Sequence, residues 1–290
     1  MSLALPYRPV RGTMQIMKQR RFTNSRPHLF STIFLGLLAI LVAPGCAWAA
    51  PSPAAVAAFN AYISAVEARL AEQHRSQGAF LAATTPQGDA KLRNGESIVE
   101  RVSLSSGAAL PGAMMFHWRG TAFAPGAKPA DFDRVMRDFN SYPQRFAPQV
   151  VAASVVSQQG DRFQAWMRIR QRHVISVVMD TSYDVNFAQT DARHGYSISR
   201  STGINEIDSP GTRHEHVLAP GDEHGFLWRL NTYWSYEERD GGLYLQIETV
   251  SLSRSVPAGI GWAIGPYVQT VPRESLEFTL SSACNAMRRQ

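Results

Sequence analysis

The sequence predicts an α+β domain in which a curved antiparallel sheet of seven strands wraps around one long C-terminal helix, with a helical extension before it. Three observations predict this class. From residue 112 onward the chain is a series of extended segments in which apolar and polar residues alternate, as in strands with one packed face. Helical stretches interrupt this series only between residues 129 and 148. The chain then closes with an apolar stripe at helical spacing: Leu276, Leu280, Cys284 and Met287.

The first 49 residues have the layout of a secretory signal peptide. Six basic residues and no acidic ones precede or flank an apolar run from Leu29 to Val42, which is shorter than the roughly 20 residues that span a membrane. Small residues at Ala47 and Ala49 predict cleavage after Ala49, and hence a periplasmic or secreted protein. An uncleaved anchor and a lipoprotein modified at Cys46 are the alternatives. The start codon is left open between Met1, Met14 and Met17.

The net charge of +6 belongs to this segment. The whole chain has 29 basic and 23 acidic residues, so removing the six basic residues of positions 1–49 leaves 23 of each. The mature chain is therefore neutral and lacks the basic patch of a nucleic-acid-binding protein, so we expect no nucleic acid as a partner. Of the two cysteines only Cys284 remains, which excludes an internal disulfide.

Residues 50–111 are predicted to form an N-terminal helical extension. Apolar residues recur at helical spacing between Pro51 and Arg75: Ala55, Phe59, Tyr62, Val66 and Leu70. Gly78 ends this helix, and one strand is expected near residues 97–104. The segment has too few apolar residues for a core of its own, so it is an extension and not a separate domain.

Residues 112–290 form the main predicted domain. A strand at 114–123 is followed by a helix at 129–140 and a second short helix that ends near Pro148. Asp131 favours the first of these helices because acidic residues stabilise a helix N-terminus. Six more strands are expected at 149–158, 161–172, 173–187, 195–206, 226–239 and 243–254. The final helix is expected to begin around Pro272, a residue that suits a first helical turn.

The order of these elements resembles the helix-grip superfamily, which includes START lipid-transfer domains, the birch-pollen-allergen fold, polyketide cyclases and coenzyme-Q-binding proteins. The most specific motif is a helix from Ala130, an aromatic-proline turn at Tyr142-Pro143, and a strand that opens on Val150-Val151 after Pro148. The tail, from Gly242 to Leu276, is similar to exported members. The resemblance covers residues 112–290 and implies a hydrophobic cavity between sheet and helix that holds lipids, quinones, sterols or polyketides. The superfamily shares no universal catalytic residue, so the resemblance transfers none.

The apolar face of the predicted sheet is the first candidate site. Methionine and tryptophan side chains suit an irregular apolar ligand. A single helix covers only part of a sheet face with so many large side chains, so we expect a cavity of several hundred Å³. Plain core packing is the alternative. Arg119 or Tyr183 would orient a polar head group. The predicted lining residues are Phe116, Trp118, Arg119, Met167, Ile169, Met179, Tyr183, Trp228, Trp234 and Ile247.

The segment from Val256 to Val271 is the second candidate. It is apolar and rich in glycine, so it is predicted to be a lid or a peripheral membrane contact, with a buried lead-in to the helix as the alternative. The residues expected to form this surface are Ile260, Trp262, Ile264 and Tyr267.

Metal and catalytic chemistry find little support. His214-Glu215-His216 and His224 have the composition of a metal site, but they lie in a segment rich in Pro, Gly and Asp, and no third spaced ligand accompanies them. We therefore expect no metal and no cofactor. Acid/base candidates near the cavity are His117, Arg119, Tyr183, Glu248 and Arg254. For Glu248 and Arg254 the alternative is a weak ion pair on a wet sheet face.

The sequence thus favours an exported binding protein that holds a lipophilic small molecule: a lipid, a quinone or a polyketide-like compound. A cyclase- or dehydratase-like enzyme that uses the same cavity stays open, as does an envelope scaffold without a cavity. The chain has no Gly-x-Ser-x-Gly elbow, no phosphate-binding glycine loop and no dinucleotide fingerprint, so hydrolase, kinase and dehydrogenase activities lack support.

Overall fold

The computed structural model describes residues 50–76, 78–102, 110–172, 176–256 and 261–288, and for 261–269 it describes the backbone alone. The expected signal peptide and Ile260 lie outside these ranges. The helices are α1 (Pro53–Arg75), α2 (Pro86–Arg93), α3 (Pro129–Met136), α4 (Tyr142–Arg145) and α5 (Gly261–Arg288), with a 3-10 turn at Phe139–Ser141. The strands are β1 (Ile98–Arg101), β2 (Ala113–Pro125), β3 (Val150–Gln159), β4 (Arg162–Arg172), β5 (Ser176–Gln189), β6 (His194–Asp208), β7 (His216–Val217), β8 (Arg229–Arg239) and β9 (Gly242–Arg254).

One antiparallel sheet contains the described strands, in the order β1-β2-β9-β8-β6-β5-β4-β3, and β7 pairs with the end of β6. The predicted α+β class and its seven main strands are confirmed. Two short strands lie outside these seven: β1 matches the strand expected near residues 97–104, and β7 was not predicted. β1 comes from the N-terminal extension and pairs with β2, and the two-residue β7 lies in the segment that the sequence predicts to be a loop.

The C-terminal helix begins at Gly261 and not around Pro272, so this part of the prediction is wrong. In sequence, Pro266 and Pro272 look like residues that end or begin a helix. Proline keeps a helical φ angle and removes one backbone hydrogen bond, a loss that this 28-residue helix accommodates.

The sheet curves around α5, because both of its sides contact the same part of the helix. Leu276 and Leu280 lie directly over Gly120 of β2, so close that a Cβ atom there would overlap Leu280. The neighbouring Ser275 hydroxyl lies 3.1 Å from Gln171 Nε2 of β4. In a flat sheet these two strands would be about 24 Å apart, five strand spacings. The described architecture is therefore that of the helix-grip fold.

Helices pack on both faces of the sheet. We call the face toward α5 the inner face and the opposite one the outer face. The inner face packs with α3, with α4 and with a stripe of α5 formed by Leu276, Leu280, Ala283, Cys284 and Met287. The outer face packs with α1 through the predicted residues Ala55, Phe59, Val66 and Leu70, together with Ile63. The sheet is thus covered from both sides, by the first and the last helix of the described chain.

None of the described helices is both long and apolar enough to cross a membrane.

Candidate ligand-binding site

Strand register places most of the predicted lining residues on the inner face. Directly opposed residues of neighbouring strands share a face, and the register pairs Ile247 with Trp234 and Ile169 with Met179. Trp234, Ile247 and Tyr183 belong to the apolar cluster that includes α5. The inner face brings together Phe116, Trp118, Met167, Ile169, Met179, Tyr183, Trp234 and Ile247.

Two predicted lining residues lie elsewhere. Trp228 packs with α1 in the outer-face cluster, because β8 begins only at Arg229 and the alternation counted back from Trp234 does not reach it. Arg119 follows Trp118 in β2, and consecutive residues of a strand point to opposite faces. Its guanidinium therefore lies on the outer face, 3.1 Å from Glu100.

Burial along the inner face is uneven. Under the C-terminal half of α5, Ile247 and Trp234 are buried, and Phe132 of α3 packs on Tyr236 with ring centroids 4.7 Å apart. On β2 and β4 of the same face, Trp118, Met167 and Ile169 are only half-buried. Large apolar side chains that remain partly accessible inside a curved sheet are the part of this face that a ligand could cover.

Tyr183 lies within the buried part of this face. Burial raises the pKa of Tyr183 to about 12, so its side chain is a neutral phenol at physiological pH.

From Gly261 onward, the segment predicted to be a lid has a helical backbone and not that of a loop. Trp262, Ile264 and Tyr267 lie in the first turns of α5 and not in a glycine-hinged loop. Their side chains and Ile260 lie outside the described part of the structure, so contact with a ligand or a membrane stays a prediction.

The acid/base candidates His117 and Glu248 lie on the outer face under α1. Together with Tyr62, Arg69 and Arg119 they form what we call the Glu248 cluster. His117 Nε2 is 2.8 Å from Glu248 Oε2, which also accepts from Arg69. Tyr62 Oη is 2.8 Å from His117 Nδ1. His117 and Glu248 are each 1% exposed, so the alternative of a weak ion pair between Glu248 and Arg254 on a wet sheet face does not apply to Glu248.

Glu248 is ionised in this setting. Burial alone would raise its pKa, but the hydrogen bond from His117 and the positive charges of Arg69 and Arg119 outweigh burial and hold it below its usual value. The sheet separates this carboxylate from the inner face. The cluster therefore fixes α1 to the sheet and cannot reach a ligand that lies against α5.

Two acidic side chains near the histidines of the predicted loop, Glu215 and Glu206, have hydrogen-bond partners within the protein. The Glu215 carboxylate accepts from Arg168 at 2.6 Å and from the Gly211 backbone N–H at 2.6 Å. The buried Glu206 carboxylate accepts from the backbone N–H groups of His224 and Phe226. Among the residues that the structure describes, no three metal-ligating side chains converge.

A groove of about 540 Å³ that includes charged lining residues lies beside the strand ends, away from α5. Its charged residues are Arg162, Asp184 and Arg200, and Arg200 is held by Glu67 of α1 at 2.7 Å. The charged lining makes it unlike the apolar cavity that the sequence predicts.

No family model matches the chain, and no curated protein matches it in sequence. Solved structures are similar in fold. A STAR-related lipid transfer protein from Xanthomonas axonopodis has a TM-score of 0.41 at 15% identity, over 66% of this chain and 99% of that one. The Zhui aromatase/cyclase from a Streptomyces species has a TM-score of 0.42 at 10% identity, over 61% and 95%. The human StarD13 lipid transfer and protein localization domain has a TM-score of 0.39 at 9% identity, over 70% and 95%.

Proposed function

We propose that this chain is a binding protein that holds a lipophilic small molecule between the inner face of its sheet and α5. The observation that carries the proposal is the half-buried group of Trp118, Met167 and Ile169 inside a sheet that curves around one helix. Burial of an apolar ligand there would contribute about 25 cal/mol for each Å² removed from water.

Binding is favoured over catalysis by where the acid/base groups lie. His117 and Glu248 are on the outer face, so neither is available to a ligand on the inner face. Tyr183 stays on the inner face as a neutral phenol, which can donate a hydrogen bond but is a poor base at physiological pH.

The test is extraction of ligand from protein that is purified without detergent, followed by mass spectrometry. We expect a lipophile at near-stoichiometric amount in the wild type and its loss in Ile169→Trp, which fills the half-buried part of the inner face. Val156→Trp is the matched control, because Val156 is 65% exposed on the edge strand β3. Equal ligand content in the two variants, or no lipophile bound by the wild type even after addition, would contradict the proposal.

Export is the second part of the proposal, and it rests on the signal-peptide layout of residues 1–49. Mass spectrometry of the mature N-terminus should find Ala50 as the first residue. A first residue upstream of position 45 would show that the segment is retained.

Peripheral membrane contact through residues 256–271 is the third part, because a carrier must collect its ligand from a membrane or a partner. Hydrogen exchange with and without liposomes measures it. Added liposomes should slow exchange in this segment and leave the outer-face helix α1 unchanged. Unchanged exchange at 256–271 would remove membrane contact from the proposal.

A further inference from the structure

Part of the outer face lies open between two contacts that bound it. α1 packs on β2, β9 and β8 and reaches β6 at Arg200, whose guanidinium is 2.7 Å from Glu67. On the other side the segment after β6 returns to β4, where Glu215 is 2.6 Å from Arg168. The helices that the structure describes pack on the inner face or on β2, β9 and β8, so they leave the floor between these contacts uncovered. We call this floor the outer trough, formed by Gln164, Trp166, Ser182, Asp184 and Gly203.

Strand register places these residues on the outer face. Asp184 directly opposes Arg200, which bonds to α1, and Gln164 opposes Asp184. Directly opposed residues share a face, and so do residues two apart in a strand. Trp166 of β4 and Ser182 of β5 therefore lie beside them on the same face. The trough continues at one end into the groove of about 540 Å³, since Gln164 and Asp184 line both.

Trp166 is the large aromatic side chain of this floor. It is half-buried, and none of the apolar clusters of the described residues contains it or packs against it. Its directly opposed neighbours are the small residues Ser154 and Ser182, and Ser182 opposes Gly203. A Cβ atom at Gly203 would find nothing within 4 Å. The indole thus stands in a row of small residues with open space near it, which leaves part of its apolar ring accessible to a ligand.

Hydrogen-bonding side chains follow Trp166 toward the groove. Gln164 and Asp184 are exposed, and Gln164 Nε2 is 3.4 Å from Asp184 Oδ1. Within the described residues no donor reaches Asp184 Oδ2, and the side-chain amide of Asn186, which lines the groove, has no partner there. Carboxylate oxygens accept hydrogen bonds, and an amide both donates and accepts them. This set matches the neighbouring hydroxyl groups of a sugar ring, each of which donates and accepts.

The charges of the trough and the groove cancel. Arg168 and Arg200, at the two borders, are each paired with carboxylates at 2.6 or 2.7 Å. The remaining charged residues of the floor and the groove, Arg162 and Asp184, have opposite signs. A ligand with a net charge would lose hydration there without a net opposite charge in return. The surface therefore favours an uncharged polar ligand.

We propose that the outer trough binds a neutral oligosaccharide, independently of the ligand proposed for the inner face. One pyranose ring stacks its C–H face on Trp166, and hydroxyl groups of the next ring bind Gln164 and Asp184, about 7 Å farther along the strands. Stacking supplies the apolar part of the contact, and the amide and carboxylate supply its direction. The sheet lies between the two sites, so the two ligands do not compete.

Isothermal titration with pentasaccharides tests the ligand class. The neutral probes are cellopentaose, laminaripentaose, chitopentaose and mannopentaose, and pentagalacturonate is the charged probe. At least one neutral probe should bind at a single site on each chain, and more tightly than pentagalacturonate. Absence of binding by all four neutral probes, or tighter binding of pentagalacturonate than of any of them, would overturn the proposal.

Variants assign the binding to the trough. Trp166→Ala removes the stacking surface and should weaken binding about tenfold. Gly203→Leu fills the open space in the same row, should weaken binding to a similar extent, and serves if Trp166→Ala does not fold. Gln158→Leu is the control. Gln158 is exposed on β3 but opposes Phe163 of the inner-face cluster, so its side chain points away from the trough and its loss should not change the affinity.

The outcomes separate this site from the proposed function. Urea unfolding shows whether each variant is folded. Oligosaccharide affinity that survives both Trp166→Ala and Gly203→Leu would overturn the trough as the binding site. The amount of lipophile that co-purifies should be equal in the wild type and these variants, because they alter the outer face only. A chain that binds no oligosaccharide but retains its lipophile therefore contradicts this inference and not the proposed function.

Discussion

Gly120 is the residue at which α5 meets β2, and the contact leaves no room for a side chain. A Cβ atom there would overlap Leu280 and would lie 3.3 Å from Leu276. Adding even one methyl group to a well-packed interior forces neighbours to shift.

Gly120→Ala should therefore lower the free energy of unfolding by about 1–3 kcal/mol. Urea unfolding at neutral pH measures this. Gly203→Ala in β6 is the control, because nothing lies within 4 Å of the position that its Cβ atom would take, and its effect should stay within about 0.5 kcal/mol. Equal effects of the two substitutions would show that α5 does not rest on Gly120.

His74 of α1 is the residue whose titration should be visible in stability. It stacks between Phe80 and Tyr196, with ring centroids 4.8 and 4.3 Å away, and its Nε2 lies 2.8 Å from the Ser235 hydroxyl. Burial, assisted by the charge of Arg69, lowers the pKa of His74 to about 4. The folded protein therefore keeps this imidazole neutral at pH values where the unfolded chain protonates it.

Well above pH 6.5, His74 is neutral in both the folded and the unfolded protein, so it does not change the free energy of unfolding. As the pH falls from about 6.5 toward 4, His74 becomes protonated in the unfolded chain and stays neutral in the folded chain. The free energy of unfolding therefore decreases. Between pH 7 and pH 5 this residue should account for about 2 kcal/mol of lost stability. Urea unfolding at both pH values should find a smaller loss in His74→Phe, and an unchanged loss would contradict the assignment.

The residue scale also shows where sequence reasoning succeeds and fails. Alternation assigns Trp118, Trp234 and Ile247 to one face correctly, because β2, β8 and β9 have no bulge around them. It fails at Trp228, which precedes β8, since the start of a strand is not encoded in alternation. Arg119 could have been excluded from the same face as Trp118 by alternation alone.

At the scale of elements, α1 is fixed by charge as well as by apolar packing. The buried Glu248 carboxylate depends on Arg69, whose side chain is 41% exposed, and on His117. Removal of one partner leaves a buried negative charge less compensated, which is more costly than the loss of a surface ion pair.

Arg69→Met should destabilise the protein by about 1–2 kcal/mol, a value reduced from that of a fully buried pair because Arg69 is partly in water. Arg75→Met is the matched control on the same helix. Within the described part of the chain Arg75 pairs with the exposed Glu72 alone, so its loss should cost under about 0.5 kcal/mol. Thermal unfolding in low and high salt compares the two, and equal losses would argue against the Glu248 cluster as an attachment point.

Element boundaries were predictable where local chemistry marks them. Ser52 caps α1 by accepting from the Ala55 N–H at 3.1 Å, and the predicted helix begins beside it. The start of α5 was not predictable, because Pro266 and Pro272 have the same local signature whether they interrupt a helix or begin one. The surface that α1 packs against could not be predicted from the sequence either, because its partners on β8 and β9 are more than 150 residues away along the chain.

At the scale of the whole molecule, the N-terminal extension completes the outer face. Without residues 50–76, the buried residues that α1 packs against would be uncovered: Ala113, Met115, Trp228, Tyr233, Val250 and Leu252. Large exposed apolar patches of this kind cause association or dye binding.

A chain that begins at residue 77 should therefore bind the dye ANS strongly and aggregate at lower temperature than a chain that begins at residue 50. Fluorescence and light scattering measure the two effects. A truncated chain that is as soluble and as dye-free as the longer one would show that the outer face does not require α1.

The pairing of β2 with β9 sets the order in which the molecule can be completed. Their register pairs Ala113 with Arg254 and Pro125 with Gly242. β2 therefore cannot form its pairing with β9 until β9, the last strand described, has been synthesised. Closing so long a loop has an entropic cost, and folds dominated by distant contacts form slowly. A nascent chain shorter than about 240 residues holds neither the middle of the sheet nor the surface on which α1 rests. The interior of the described domain can consequently close only after the chain has been made through β9, which ends at Arg254.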